Sequence, residues 1–231
     1  MMLYPSILTT KMMNERKVYQ EDSEVVVESV REALKGEVKA MGNGRMVFTE
    51  LRTDRLVLRM FRKDDLQFVF DHFSDPDVSR FLYDHEPPAT VKEGKDILKW
   101  CMDYRSKDHI RWCIELNEEN ENNHGPIGTC GFHCYNPKTG EAEIGYDLRK
   151  KSWNSGLMTE ALGVMLKYGF EVFDLKRVIA YVASENLASC HLLEKLGFTR
   201  ERTVIDQFEF RGMYYDHELY SFQCNESDNG K

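Results

Sequence analysis

The sequence lacks the long apolar run that a membrane-spanning helix requires. Such a helix needs about 20 consecutive apolar residues, and no stretch of the 231 residues approaches that length. Residues 1–8 are apolar, but no basic segment precedes them and no Ala-x-Ala-like site follows, so they do not match a secretory signal peptide. We therefore expect no membrane partner.

Positive charge is also in short supply. Lysine and arginine number 31 against 39 aspartates and glutamates, which gives a formal net charge of −8 at pH 7. General nucleic-acid binders carry a basic excess, so we expect no nucleic-acid partner. The negative balance is compatible with a cationic ligand, although net charge alone is weak evidence for one.

The sequence has six cysteines but no regular cysteine framework. We expect free thiols and therefore the reducing cytoplasm as the compartment. Cys113, Cys130 and Cys134 fall in strand-like segments, where a free thiol acts as a small hydrophobic side chain. Cys130 and Cys134 would share one strand face, but no second ligand pair stands at a zinc-site spacing, so we expect no metal.

What remains is an ordinary globular composition, with 42% hydrophobic and 30% charged residues, enough for one sizeable core. We predict an N-terminal extension at 1–46, partly helical or flexible, a folded domain at 47–223 and a disordered tail at 224–231. Within the extension, residues 25–34 have the pattern of an amphipathic helix, and residues 41–44 that of a linker.

Hydrophobic periodicity predicts a mixed α/β (α+β) domain. Strand patterns occur at 56–60, 110–116, 127–135, 143–148, 178–182, 204–210 and 216–222. Helical patterns occur at 63–73, with Pro76 as a stop signal, and at 90–104, 159–173 and 187–196. We expect an antiparallel meander, then a right-handed strand–helix–strand crossover, and a C-terminal hairpin around Arg211 and Gly212.

Two strand-to-helix loops carry the polar residues of interest. The loop at 149–159 precedes a helix, whose first N–H groups suit a phosphate, and Gly156 permits close backbone approach. An ordinary strand–helix connection accounts for it equally well, since neither G-x-G-x-x-G nor a Walker A motif is present. In the second loop, Asn186 stands at a helix N-cap position with Ser189 in the first turn. These two residues are either plain cap residues or ligand-binding groups at a strand's carboxyl end.

The chain resembles the GNAT acetyltransferase superfamily, and within it the ribosomal-protein alanine N-acetyltransferases. The resemblance covers about residues 47–222. Its matching pieces are Leu51–Arg59, Pro126–Gly128, Glu143–Arg149, Trp153-x-x-Gly156-x-x-Thr159-Glu160-Ala161, Glu185-Asn186-x-x-Ser189, Leu193–Phe198 and Gly212-x-x-x-Asp216.

The resemblance implies a central mixed sheet with helices on both faces, split between the strands at 143–148 and 178–182. It also implies acetyl-CoA as acyl donor, a primary amine (small molecule or protein N-terminus) as acceptor, and a monomer or homodimer. The cofactor arm would pair with main-chain groups near Tyr146 and Leu148. Its phosphates would lie on the segment formed by Trp153, Asn154, Ser155, Gly156, Leu157, Met158 and Thr159, with Asn186 and Ser189 near the arm and the sulfur.

Some positions depart from the superfamily pattern. Met158 is bulky for a close backbone approach, and Asn154 and Ser155 replace a small-plus-basic pair. Leu193 stands where many members have a tyrosine that serves as the general acid. A non-catalytic acyl-CoA sensor with the same fold is therefore the alternative hypothesis.

The resemblance and the chemistry of amide formation together nominate the catalytic residues. Ser189 is the candidate donor to the leaving thiolate, and Glu143 is the first candidate base, with Asp147 and Glu209 behind it. A structural ion pair accounts for Glu143 equally well. The acidic run formed by Asp71, Asp75, Asp77, Asp84 and Glu86 favours either a cationic acceptor or a solvated acidic face.

Overall fold

A computed structural model describes residues 48–83, 86–117 and 125–223. The predicted helix at 25–34, the linker at 41–44 and the tail at 224–231 lie outside the described residues. Within them, no helix combines the length and the apolar character that crossing a membrane would take.

Eight strands and five helices follow one another along the described chain. Strands β1 to β8 are Leu51–Arg52, Leu56–Arg59, Ile110–Leu116, Pro126–Asn136, Glu141–Leu148, Arg177–Ala183, Thr199–Phe210 and Met213–Gln223. Helices α1 to α5 are Leu66–Ser74, Pro76–Ser79, Val91–Cys101, Leu157–Glu171 and Leu187–Lys195.

The strands form one mixed sheet in the order β1-β2-β3-β4-β5-β6-β8-β7. All neighbours pair antiparallel except β5 and β6, which are parallel and joined through α4. The predicted meander, crossover and hairpin are therefore confirmed. The hairpin turns at Arg211 and Gly212, both with positive φ (54° and 73°), as a two-residue turn of the I′ type requires.

Helices cover both faces of the sheet, and each face has its own core. Helices α4 and α5 pack on one face through residues such as Met165 and Leu193, against Trp112 and Phe132 of the sheet. On the other face, α1 and α3 build a smaller cluster, in which Val69 and Leu98 pack near Cys113 of β3. The fold class predicted from the sequence is thus confirmed.

Some element boundaries differ from those predicted. Pro76 does not only end a helix: with Asp75 as N-cap it begins the short helix α2, because proline suits the first helical turn. The helix predicted to reach Tyr104 ends at Cys101, and the Tyr104 hydroxyl instead bonds the backbone of Phe61. Strand β7 begins at Thr199 rather than Val204.

The prediction for Cys134 is wrong. Cys113 and Cys130 are buried as expected, but Cys134 is exposed and does not serve as a small core residue. The cause is a β-bulge between His133 and Asn136, where Cys134 adopts φ +53°. The bulge also breaks the alternation that would have placed Cys130 and Cys134 on one strand face.

Candidate active site

The sheet opens between β5 and β6. Their parallel ladder is confined to Glu141–Glu143 of β5 and Arg177–Ile179 of β6. Farther along, β5 continues to pair with β4 as far as Leu148, and β6 pairs with β8 as far as Ala183. In the described structure, the β6-facing edge of residues 144–148 therefore has no strand partner, and we call the opening beside it the cleft.

One main-chain acceptor at this edge already has a partner. The indole N–H of Trp153 donates to the Leu148 carbonyl at 2.6 Å. That carbonyl keeps one lone pair, so the main chain around Tyr146 offers the more open part of the edge. The predicted role of Leu148 and Tyr146 in binding an acyl-carrier arm stays a prediction.

The loop before α4 leads into a helix start that no side chain of the described residues caps. Gly156 is the N-cap residue with φ +77°, and Asn154 is also left-handed at φ +56°. Left-handed residues in such a turn aim successive N–H groups into a concavity that suits an anion. Asn154, Ser155 and Gly156 are exposed, so these groups are accessible to a ligand.

The side chains of the first α4 turn point away from this concavity. Leu157, Met158 and Thr159 are all buried, and Met158 packs in the larger core cluster with 8% of its surface exposed. Its bulk therefore lies under the loop, not over it, and does not obstruct a close approach to the backbone.

Arg55 contacts this loop, and sequence reasoning missed that contact. Its guanidinium donates to the Ser155 carbonyl at 3.0 Å and to Glu160 at 2.6 Å. Arg55 belongs to a matched sequence piece, but it lies 100 residues before Ser155, and only the folded sheet brings the two together. Arg55 is ion-paired with Glu160, and the nearby Lys150 with Asp77, so part of the positive charge beside residues 154–155 is already offset.

Helix α5 starts on the other side of the cleft. Asn186 is its N-cap, as predicted, and its side chain accepts the Ser189 N–H at 3.2 Å. The Ser189 hydroxyl in turn lies 2.6 Å from the Tyr146 hydroxyl across the split. Sequence reasoning assigned Tyr146 only main-chain contacts. The missed signal is strand alternation: Ala142, Ile144 and Leu148 enter the core toward α4 and α5, so the Tyr146 side chain lies on that same face.

The hydroxyl pair carries protons at neutral pH. Burial raises the pKa of Tyr146, and the hydrogen bond with Ser189 offsets only part of that rise. The phenol is therefore neutral and able to donate a hydrogen bond. Leu193, at the position of the superfamily's tyrosine, is fully buried in the core.

Asp147 belongs to a buried hydrogen-bond network, which favours a role in stabilising the fold over a role in proton transfer. Its carboxylate binds His72 at 2.6 Å, Arg111 at 2.5 Å and Thr129 at 2.7 Å. Burial alone would raise the pKa of Asp147, but Arg111 and His72 overcome it and lower that pKa to about 2. A base this weak extracts a proton poorly near neutral pH.

The other two candidate bases differ in position. Glu143 lies where the β5–β6 ladder ends, on the sheet face toward α1 and α3, and its Oε1 lies 3.5 Å from Nε2 of His133. Glu209 is exposed on β7, opposite Tyr214 in the hairpin. Of the two, Glu143 is at the cleft.

The acidic run is largely engaged by partners. Asp75 caps α2, Asp77 pairs with Lys150, Asp71 accepts from Gln67 and Glu86 binds Arg211 of the hairpin. Asp84 lies outside the described residues. These contacts favour the solvated acidic face over an acidic acceptor site.

Comparison with known proteins identifies the family of this chain. The family model for the acetyltransferase (GNAT) domain matches residues 55–199. The uncharacterised N-acetyltransferase YoaA of Bacillus subtilis (strain 168) is 34% identical over 176 residues, which are 76% of this chain and 97% of YoaA.

Two solved structures have the same fold. One is a GNAT-family acetyltransferase from Bacillus anthracis, with a TM-score of 0.66 and 26% identity over 76% of this chain and 98% of that chain. The other is a Vibrio cholerae spermidine N-acetyltransferase in complex with CoA and spermine, with a TM-score of 0.63 over 73% of this chain and 95% of that chain. At 21% identity, the second likeness shows the fold alone. The chain therefore belongs to the GNAT acetyltransferase family and is an N-acetyltransferase.

Proposed function

We propose that this N-acetyltransferase takes acetyl-CoA as its acyl donor and transfers the acetyl group to a primary amine by direct attack on the thioester. The open edge of β5 beside the uncapped start of α4 carries this proposal. An extended amide-bearing arm would pair with such an edge as an added strand does. A diphosphate would suit the N–H groups of residues 154–159.

The two faces of the sheet divide the proton chemistry between them. Acetyl-CoA supplies an activated thioester carbonyl. Glu143, on the face toward α1 and α3, accepts the proton that the acceptor ammonium must lose, directly or through water. Ser189, on the opposite face, donates a hydrogen bond to the leaving sulfur while its oxygen accepts one from the neutral phenol of Tyr146. The departing thiolate takes its proton from solvent, because the pKa of a free thiol is about 8.5.

The acceptor enters, in this proposal, between the segment before α3 and the β7–β8 hairpin. Tyr83 stacks on Tyr215 with ring centroids 3.9 Å apart, and it also contacts His217, which packs against Phe208. Burial, Tyr215 and the negative charge of Glu185 all raise the pKa of Tyr83, so its ring stays neutral. Neutral aromatic rings beside a carboxylate favour a cationic amine, which also fits the spermine bound by the Vibrio cholerae protein.

The sequence features that favour a non-catalytic sensor are compatible with an active enzyme. Met158 is in the core, the Arg55 guanidinium contacts the loop, and the Ser189 hydroxyl, hydrogen-bonded to Tyr146, provides a donor where Leu193 cannot. The free thiols at positions 101, 113, 130, 134 and 190 suit a reducing compartment, and we propose the cytoplasm.

Thiol release from acetyl-CoA, measured with peptides bearing free N-termini, polyamines and aminoglycosides, tests the proposal. We expect turnover with at least one amine class. Calorimetric titration should give micromolar acetyl-CoA affinity, about −8 kcal/mol. Glu143→Gln should lower kcat and abolish the rise of kcat with pH on the acidic side of the pH profile. Glu209→Gln, at an exposed position, is the matched control and should leave both unchanged. Binding without turnover across the whole panel would favour the sensor.

A further inference from the structure

Three side chains that bind transition metals converge beside the cleft. His133 and Cys134 are consecutive on β4, and Glu143 is on β5. One nitrogen, one sulfur and one oxygen of these residues all lie within 4.8 Å of one another.

A local irregularity of the sheet brings the three together. His133 and Glu143 are directly opposite each other in the β4–β5 ladder, so their side chains lie side by side on one face. In a regular strand, Cys134 would point to the other face. Here β4 advances three residues, from His133 to Asn136, while β5 advances two, from Glu143 to Glu141. The extra residue and the left-handed φ of +53° at Cys134 turn the thiol toward the other two groups.

The geometry is close to that of a zinc site. Zinc–ligand bonds of about 2.0–2.3 Å place the ligand atoms of a tetrahedral site about 3.5 Å apart. Nε2 of His133 and Oε1 of Glu143 already have that separation, at 3.5 Å. Rotation of the exposed Cys134 side chain would bring its sulfur the remaining distance. Three protein ligands leave the fourth position to water, and the exposure of Cys134 gives an ion its path of entry.

We propose that His133, Cys134 and Glu143 bind a zinc-type divalent cation, and that the bound ion inhibits acetyl transfer by engaging Glu143. Binding displaces the Cys134 thiol proton into solvent, and the thiolate coordinates the metal. A thiolate with an imidazole selects such metals over Mg²⁺, which prefers oxygen ligands. The inhibition, unlike the binding, rests on the proposed function, in which Glu143 accepts the acceptor's proton.

Cobalt(II) is a direct probe of the site because it reports thiolate ligation without any enzymatic activity. Titrating the purified protein with Co²⁺ should give a thiolate-to-cobalt charge-transfer band in the near ultraviolet, saturating at one ion per chain and displaced by Zn²⁺. Cys134→Ser should abolish the band, and His133→Gln should weaken binding at least tenfold. Cys224→Ser, which removes a thiol elsewhere in the chain, is the control and should leave the band intact. A band that survives Cys134→Ser overturns the metal site.

The inhibition is tested separately with the amine that gives turnover. Zn²⁺ should lower kcat at least tenfold in the parent protein, Mg²⁺ should have no effect, and Cys134→Ser should keep its basal rate while becoming at least tenfold less sensitive to Zn²⁺. Cobalt binding at Cys134 without inhibition would leave the site standing and overturn its effect on Glu143. Absence of turnover with every amine, while the cobalt band is present, would overturn the proposed function instead.

Discussion

The Ser189–Tyr146 contact makes a kinetic prediction at the scale of single residues. Ser189→Ala should lower kcat by about 10- to 1,000-fold, because the hydroxyl donates chiefly in the transition state, and the KM for acetyl-CoA should change little. Tyr146→Phe should lower kcat as well. If the Tyr146 hydroxyl acts by holding that of Ser189, the double variant should be no slower than the slower single variant, and full multiplication of the two losses would contradict this joint action.

Asn186 provides the contrast for that experiment. Its side chain caps α5 at the Ser189 N–H. Asn186→Ala should therefore cost about 1 kcal/mol of stability and raise the KM for acetyl-CoA more than it lowers kcat. Thermal unfolding of each variant separates a catalytic loss from a folding loss. Full kcat and unchanged cofactor affinity in both the Ser189 and the Asn186 variants would show that acetyl-CoA does not bind against α5.

Asp147 makes a stability prediction. Asp147→Asn leaves Arg111 buried beside a neutral partner, and should cost about 3 kcal/mol of unfolding free energy. The exposed pair of Asp174 with Lys176 is the matched control, because Asp174→Asn should change stability by less than about 0.5 kcal/mol. Urea denaturation near neutral pH measures both. Equal effects at the two positions would show that the buried network contributes little.

The same network predicts a pH dependence. The folded-state pKa of Asp147, about 2, lies below an ordinary aspartate pKa of about 3.9, so its contribution is present above that ordinary value. It is lost as the pH falls from about 4 toward about 2. The stability difference between the parent and Asp147→Asn should therefore shrink across that range. A difference that stays constant down to pH 2 would contradict the assignment.

At the scale of elements, strong periodicity predicted the long helices and the positions of most strands, whereas exceptions to periodicity required the structure. Met165 and Leu166 on an apolar face predict α4 well, because a 3.6-residue repeat is distinct over 15 residues. The bulge at Cys134 has no comparable sequence signal, since one extra strand residue leaves the composition unchanged. Strand β1 has only two residues, too few to show a period.

The candidate site follows the same division. Asn186 at a helix start is predictable because a cap depends on local sequence. The contacts of Ser189 with Tyr146 and of Arg55 with Ser155 join residues 43 and 100 positions apart, so no local pattern contains them.

The start of α4 is an element that a glycine pair can test. Gly156 has φ +77°, where a Cβ is strained, so Gly156→Ala should cost about 1 kcal/mol and raise the KM for acetyl-CoA several-fold by tilting the N–H groups. Gly163 lies within the same helix with open space around its would-be Cβ. Gly163→Ala should instead stabilise the protein by about 0.5–1 kcal/mol without altering that KM. Similar KM values for acetyl-CoA in the two variants would show that the start of α4 does not take part in binding it.

At the scale of the whole molecule, the chain carries a formal net charge of −8 at pH 7. A cationic acceptor would therefore be attracted to the protein over a distance, and the attraction would grow with the charge of the acceptor.

This net charge predicts how salt affects the acceptor. At saturating acetyl-CoA, raising the ionic strength from about 0.01 M to 0.15 M shortens the Debye length from about 30 Å to 8 Å. We expect kcat/KM for a tricationic polyamine to fall about tenfold or more, and that for a monocationic amine by less than about threefold, because steering grows with ligand charge. Initial rates with the two amines on the same enzyme preparation, with ionic strength set by a neutral-pH sodium chloride series, measure the ratio. Equal falls for both amines would indicate a general salt effect on the enzyme, and no fall for either would show that the negative balance of the chain plays no part in recruiting the acceptor.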